Sequence, residues 1–242
     1  MKPMKNWLSW ILPVASTVLL LAAHHISIPY APGISSLAVI VLFLLFDRSI
    51  FKNHGIKRPT FRIYLIAFAA AFSYAAALAM ALEGIDSVPA TWKVALEDPF
   101  LTIIDGIHPL EAIIIYAALP IAEELIFRSS LERNGKNSLT RILLSVIPFS
   151  VYCYLRSGSE AALLSVFLGS LLTFIEESWH STALNILTHI SFHGGLLMAF
   201  ASLFLEGNTL LIAAGVSFLI SGFLIYSLYQ SAFEEEEEDE ED

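Results

Sequence analysis

Eight apolar stretches constrain this chain more than any other feature. They cover about 7–23, 34–46, 61–82, 109–131, 139–155, 161–176, 182–204 and 209–229. A hydrocarbon core of ~30 Å takes about 20 helical residues, and most of these runs approach that length. The second is short; it either extends back through Tyr30 or does not fully cross. Pro29, Pro32 and Gly33 mark a turn before it. With 56% hydrophobic residues and a mean hydropathy of +0.69, a soluble globule is excluded. The expected fold is all-α: a multi-pass membrane protein with about eight transmembrane helices around an intramembrane cavity. The first run follows Lys2 and Lys5 without a small-x-small cleavage site, so it reads as a helix and not as a cleaved signal peptide.

Charge organises the rest. The formal net charge is −10, and nine of those charges come from the unbroken acidic run 234–242. The remaining chain is close to neutral, which gives no footing for nucleic acid. The run reads as a solvated, disordered tail behind a single helical domain over 1–233. One cysteine, Cys153, rules out an internal disulfide framework. Lys2, Lys5, Arg48, Lys52, Lys57, Arg58, Arg62, Arg133, Lys136 and Arg141 fall on one side of an eight-span arrangement, and only Lys93 and Arg156 fall on the other. The positive-inside rule then predicts an integral protein of the cell (inner) membrane with both termini cytoplasmic.

Within the fourth run lies Glu123-Glu124-Leu125-Ile126-Phe127-Arg128. Each ionisable residue at membrane depth costs roughly 2.5–3.5 kcal/mol on insertion scales, so three together imply a use. Glu124 and Arg128 share a helix face at i,i+4 and can pair. Glu123 is then left as a second carboxylate, free to act as a general base. His189 and His193, also i,i+4, lie in the seventh run. Their spacing suits two ligands to one metal, or a ligand and a hydrogen-bond donor to one reacting oxygen. In a soluble helix, packing histidines would be the plainer reading. In a membrane helix of a chain that also carries the Glu-Glu-Arg cluster, function is favoured. His24, His25, His54, His108 and His180 read as membrane-border residues. Glu111 and Glu160 read as helix N-terminal charges, and Glu176 and Glu177 as a cytoplasmic boundary.

Ala122-Glu123-Glu124-Leu125-Ile126-Phe127-Arg128 resembles motif one, EExxxR, of the CPBP intramembrane proteases, which include the type II CAAX prenyl endopeptidases and the bacterial Abi proteins. Leu143 to Cys153 resembles motif two, FxxxH, with Phe149 at the Phe and Cys153 at the His. His180 to His189 resembles the approach to motif three, HxxxN, with His189 at the His and His193 at the Asn. The family-like core covers about 109–204.

The resemblance implies hydrolysis of a peptide bond in a membrane-associated protein or peptide, inside the lipid bilayer. Glu123 would activate water, and Glu124 and Arg128 would form the supporting pair. His189 would stabilise the oxyanion or bind a metal, and His193 would still donate a hydrogen bond. Family mechanisms include both a glutamate-activated water and a metal-assisted one. If Zn²⁺ is used, the candidate ligands are Glu124, Cys153, His189 and His193, with Cys153 either a thiolate ligand or a small buried apolar residue. Glu123, Glu124, Arg128, Cys153, His189 and His193 are expected to converge in one water-holding cavity. Two other readings stand beside this one. The first is a family member that has lost turnover and binds a membrane partner. The second is a metal or proton transporter, which the lack of any repeat argues against.

Overall fold

The computed structural model describes residues 7–26, 30–47, 59–89 and 109–240, and every regular element among them is helical. The helices are α1 (Leu8–His25), α2 (Ala31–Phe46), α3 (Phe61–Gly84), α4 (Pro109–Ile126), α5 (Ser138–Ser157), α6 (Ser159–Trp179), α7 (Thr182–Leu196) and α8 (Gly207–Glu240). α4 runs on through a π turn, Phe127–Leu131, and a 3-10 turn, Glu132–Asn134. α7 runs on as a 3-10 helix, Leu197–Leu203. Six of these segments are long and apolar enough to cross a membrane. Of the other two, α2 has only 16 residues, and α4 carries Glu111, Glu123 and Glu124 along its length. The chain is an all-α, multi-pass membrane protein, as its apolar runs required.

Local chemistry sets the helix ends. α2 starts earlier than expected because Pro32 lies in its first turn, where a missing N–H costs no hydrogen bond; Pro32 and Gly33 therefore belong to the helix and not to the turn before it. The Asn137 side chain caps α5 by accepting from the Thr140 amide at 2.8 Å. Gly158, at φ +94°, makes the corner between α5 and α6, a backbone setting that disfavours any other residue. α8 is helical to Glu240, so most of the acidic run, expected to be a disordered tail, continues the last helix. Glutamate is a good helix former, and a helix already nucleated in apolar sequence extends at little cost.

The single domain expected over 1–233 falls into two compact units, residues 1–55 with 102–186 and residues 56–101 with 187–242. In the first, α5 packs along α6 and α2 along α4, with α1 touching α2, α4 and α5. Its buried residues include Val39, Phe43, Leu125, Phe127, Phe149 and Leu172. In the second, α3 packs along α8 and against the 3-10 helix that follows α7. α3 is lined with buried alanines at 67, 70, 71, 75, 76 and 79, and small residues let helices approach closely where apolar burial alone gives no preference over lipid. The contact is fixed by hydroxyls: Ser191 donates to the Phe68 carbonyl at 2.6 Å and Ser221 to the Ala70 carbonyl at 3.2 Å.

Gly195 is the tightest point of that packing. A Cβ there would run into the Phe72 carbonyl oxygen and sit 2.8 Å from the Ala75 Cβ, whereas one on Gly194 would meet only the Phe72 ring, at 3.8 Å. Gly195→Ala is therefore expected to cost about 1–3 kcal/mol, and Gly194→Ala to be neutral or stabilising by up to about 1 kcal/mol through helix propensity. Thermal midpoints of the two variants in detergent check this; equal midpoints would contradict the close contact.

Candidate active site

The C-terminal half of α4 is shaped by two departures from a regular helix. Pro120 lies inside it and leaves one carbonyl without its usual amide donor. The π turn that follows buries all five of its residues, Phe127 to Leu131. π turns insert an extra residue into a helix and recur at functional sites. Here the turn brings Arg128, Ser129 and Ser130 all into the interior. Arg128 donates from Nη1 to Glu124 Oε1 at 3.2 Å, with both side chains about 1% exposed. The expected i,i+4 pair is present. Its guanidinium also lies over the Phe149 ring of α5, 4.3 Å from the centroid, a favourable stack for a desolvated arginine. Gly169 of α6 makes the room, since a Cβ there would come within 3.3 Å of Arg128 Nη2.

Glu123 differs from the expectation. It is 2% exposed, and its Oε1 accepts from Arg156 Nη1 at 2.5 Å. The second carboxylate is held, not free. Arg156, expected on the outer side with Lys93, sits in the last turn of α5 and leans back along that helix, over the Tyr152 ring and within 3.4 Å of its hydroxyl. A long side chain can lay its stem along apolar surface while its head seeks charge. No local signal exposes this pair, because 33 residues separate its members.

Cys153 is a buried free thiol, 4% exposed, next to Tyr152 on the inner face of α5. Among the described residues of the first unit, no three His, Cys, Asp or Glu donor atoms converge. Cys153 and Glu124 therefore belong to no three-donor set there.

His189 and His193 lie in the part of α7 that belongs to the second unit. His189 is fully buried and His193 half-buried. Their rings stack at 19° with Nε2 atoms 3.1 Å apart. As a hydrogen bond, this makes one ring the donor and the other the acceptor, so at least one is neutral. The same separation suits chelation: two nitrogens held tetrahedrally at ~2.05 Å from one zinc lie about 3.3 Å apart.

The first unit holds a second polar group. Glu176, whose place in the sequence predicts a cytoplasmic boundary, is instead buried and accepts from Asn185 Nδ2 at 2.7 Å, while Ser129 and Thr182 share a hydrogen bond at 3.0 Å. Glu177 pairs with Arg141 at 3.0 Å. His180, at the predicted membrane border, caps α6 in the left-handed conformation at φ 46°. Glu132, just past the π turn, is 1% exposed. Burial foremost, then the charge of Glu176, pushes its carboxyl up to about 8, against the opposing influence of the Ser145 hydroxyl and Arg128. Burial also lowers the neighbouring Arg133 from the usual arginine range, against the charges of Glu176, Asp47 and Glu132. The charged residues Arg128, Glu132 and Arg133 stand in the sequence beside an apolar run; their burial is not readable there.

Compared with known proteins, the chain matches no family model, no curated sequence and no solved structure.

Glu132 supplies a test of this electrostatic arrangement. A carboxyl that titrates near 8 when folded and near its ordinary 4.5 when unfolded makes the folded state bind more protons between those values. The contribution of Glu132 to stability is then fully present below about pH 4.5 and is lost as pH rises through about 8. Glu132→Gln should remove that loss, so the variant should gain on wild type from pH 6 to about pH 8 and hold the difference above it in thermal melts; parallel curves from pH 6 to pH 8 would contradict the assignment.

Proposed function

We propose that the protein is an intramembrane endopeptidase of the CPBP type, hydrolysing a peptide bond in a membrane-associated protein or peptide. The observation that carries this reading is the pair of adjacent carboxylates, Glu123 and Glu124, buried in an apolar bundle and each engaged by its own arginine. Such an arrangement is costly, and apolar side chains of similar volume would stabilise the fold as well or better. The resemblance of 122–128 to motif one supplies the chemistry. Glu124, fixed by Arg128, holds position. Glu123 takes a proton from water as the water oxygen bonds to the scissile carbonyl carbon. The tetrahedral oxyanion receives a hydrogen bond from His189 or His193. Collapse breaks the C–N bond, and the proton held by Glu123 passes to the leaving amine. The reading requires Glu123 and the histidine pair to act on one scissile bond. It also requires Arg156 to release Glu123 as substrate arrives, because an ion-paired carboxylate is a poor base. If a metal assists, the two Nε2 atoms are its natural holders, and it would polarise the carbonyl.

A second reading, a membrane-binding protein that has lost turnover, draws on two of the same features. Arg156 occupies Glu123, and Cys153 stands where the family has histidine. Turnover separates the readings. Purified protein in detergent or vesicles is given membrane-anchored peptides, with Glu123→Gln and Cys153→Ala alongside. Wild type should cleave, Glu123→Gln should lose roughly 10²–10⁴-fold, and Cys153→Ala should stay close to wild type with a stability loss of about 1 kcal/mol. A wild type no faster than Glu123→Gln, on a substrate that Cys153→His cleaves, would favour the lapsed reading.

A further inference from the structure

A cavity of about 260 Å³ lies in the first unit, away from Glu123, where α4 passes through its π and 3-10 turns to meet the start of α5 and the end of α6. Three arginines line it: Arg128, Arg133 and Arg141. Arg128 is 1% exposed, and after its bond to Glu124 its Nε and Nη2 have no hydrogen-bond partner among the described residues. A guanidinium keeps five donors in a fixed fork, and leaving two of them buried without acceptors is costly. The inner wall thus holds two guanidinium donors that no neighbouring acceptor among the described residues reaches.

The carboxylates around it do not meet that need. Glu177 is bonded to Arg141 and to Ser138, and Glu176 accepts from Asn185. Glu132 has both carboxyl oxygens buried without a hydrogen-bond partner among the described residues; burial keeps it protonated at neutral pH, so it carries no charge against an anion and presents a donor to it as well as an acceptor to the arginines. A divalent cation is a poor occupant, because the first unit holds no convergent three-donor set among its described residues and the wall carries three arginines. A peptide is too large: drug-sized pockets run ~300–1,000 Å³. What fits is a small anion with several acceptor oxygens that arginine forks bind bidentately.

We propose that this cavity binds a phosphate group through Arg128, Arg133 and Arg141. The phosphate would come from a lipid headgroup or from free phosphate. The lipid source suits the position. Arg141 lies in the first turn of α5, and Glu176 and Glu177 in the last turn of α6. The cavity therefore sits at the ends of two candidate spans, the level at which headgroups lie and at which basic pockets between helices take them. Arg141 is free to turn inward, because its partly exposed pair with Glu177 is cheap to open. The inference is independent of peptide hydrolysis, and its test does not use activity.

The test measures binding to the full-length protein in neutral detergent, by thermal midpoint and equilibrium binding. The probes are short-chain phosphatidic acid, inorganic phosphate, diacylglycerol and magnesium chloride. Arg133→Gln and Arg141→Gln are the variants, each first shown to retain the wild-type melt without ligand; a variant that fails this is replaced by Glu177→Gln, which frees Arg141 and should tighten binding. Phosphatidic acid should raise the midpoint, diacylglycerol should not, and each arginine variant should weaken binding at least tenfold. A response to phosphatidic acid alone assigns the site to a lipid headgroup, and one shared with inorganic phosphate assigns it to phosphate chemistry in general. No response to either phosphate, a response unchanged in both arginine variants, or a response to magnesium alone would overturn the proposal.

Discussion

Glu123 and Glu124 stand side by side on a helix whose neighbours are almost wholly apolar, and each is answered by an arginine inside the same unit. Removing one partner of such a pair leaves a bare charge in low dielectric, at about 3–5 kcal/mol. Much of the first unit can be understood as meeting that demand. The π turn brings Arg128 inward one turn after Glu124. Gly169 leaves room for its guanidinium, and Phe149 gives that guanidinium a face to lie on. The register of α5 against α4 then has Phe149 level with Arg128, and Tyr152 and Arg156 near Glu123. A one-residue slip would break the Glu123–Arg156 pair and the stack of Arg128 on Phe149, and would leave the Glu124–Arg128 pair within its own helix.

The same interactions bear on function in opposite directions. A carboxylate locked by Arg128 is a stable scaffold for its neighbour. A carboxylate locked by Arg156 is held in place, and under the proposed mechanism it would act as a base only once the arginine is drawn off. Arg156 side chain exposure, 17% against 2% for Glu123, makes it the more accessible member of the pair, so an arriving backbone carbonyl or carboxylate could compete for it. The histidine pair of the second unit has a geometry that serves either as an oxyanion donor with a neutral partner or as two ligands of one metal.

Helices were legible in the sequence because lipid leaves the backbone no other way to satisfy its polar groups. Their bounds shifted by a few residues where caps and Pro32 decided. Glu124–Arg128 and His189–His193 were legible because i,i+4 spacing is a local property of a helix. Glu123–Arg156 was not, since it depends on the register of two helices. Nor was the arginine-lined cavity, because a border reading of Glu176, Glu177 and His180 does not reveal that Glu132 and Arg133, about 45 residues earlier in the sequence, line the same cavity. The fall of the chain into two units was hidden as well, because the second unit is joined by backbone close approach along small residues, Ala70, Ala71, Ala75 and Gly195, which composition does not distinguish from any other apolar face.

The most direct measurement is a double-mutant cycle on Glu123 and Arg156, read as unfolding free energy in detergent. If the two charges compensate one another in the interior, Glu123→Gln and Arg156→Gln will each destabilise by about 3–5 kcal/mol, and the double variant will recover at least about 2 kcal/mol of their sum. Single effects that simply add, with no recovery in the double variant, would contradict the account.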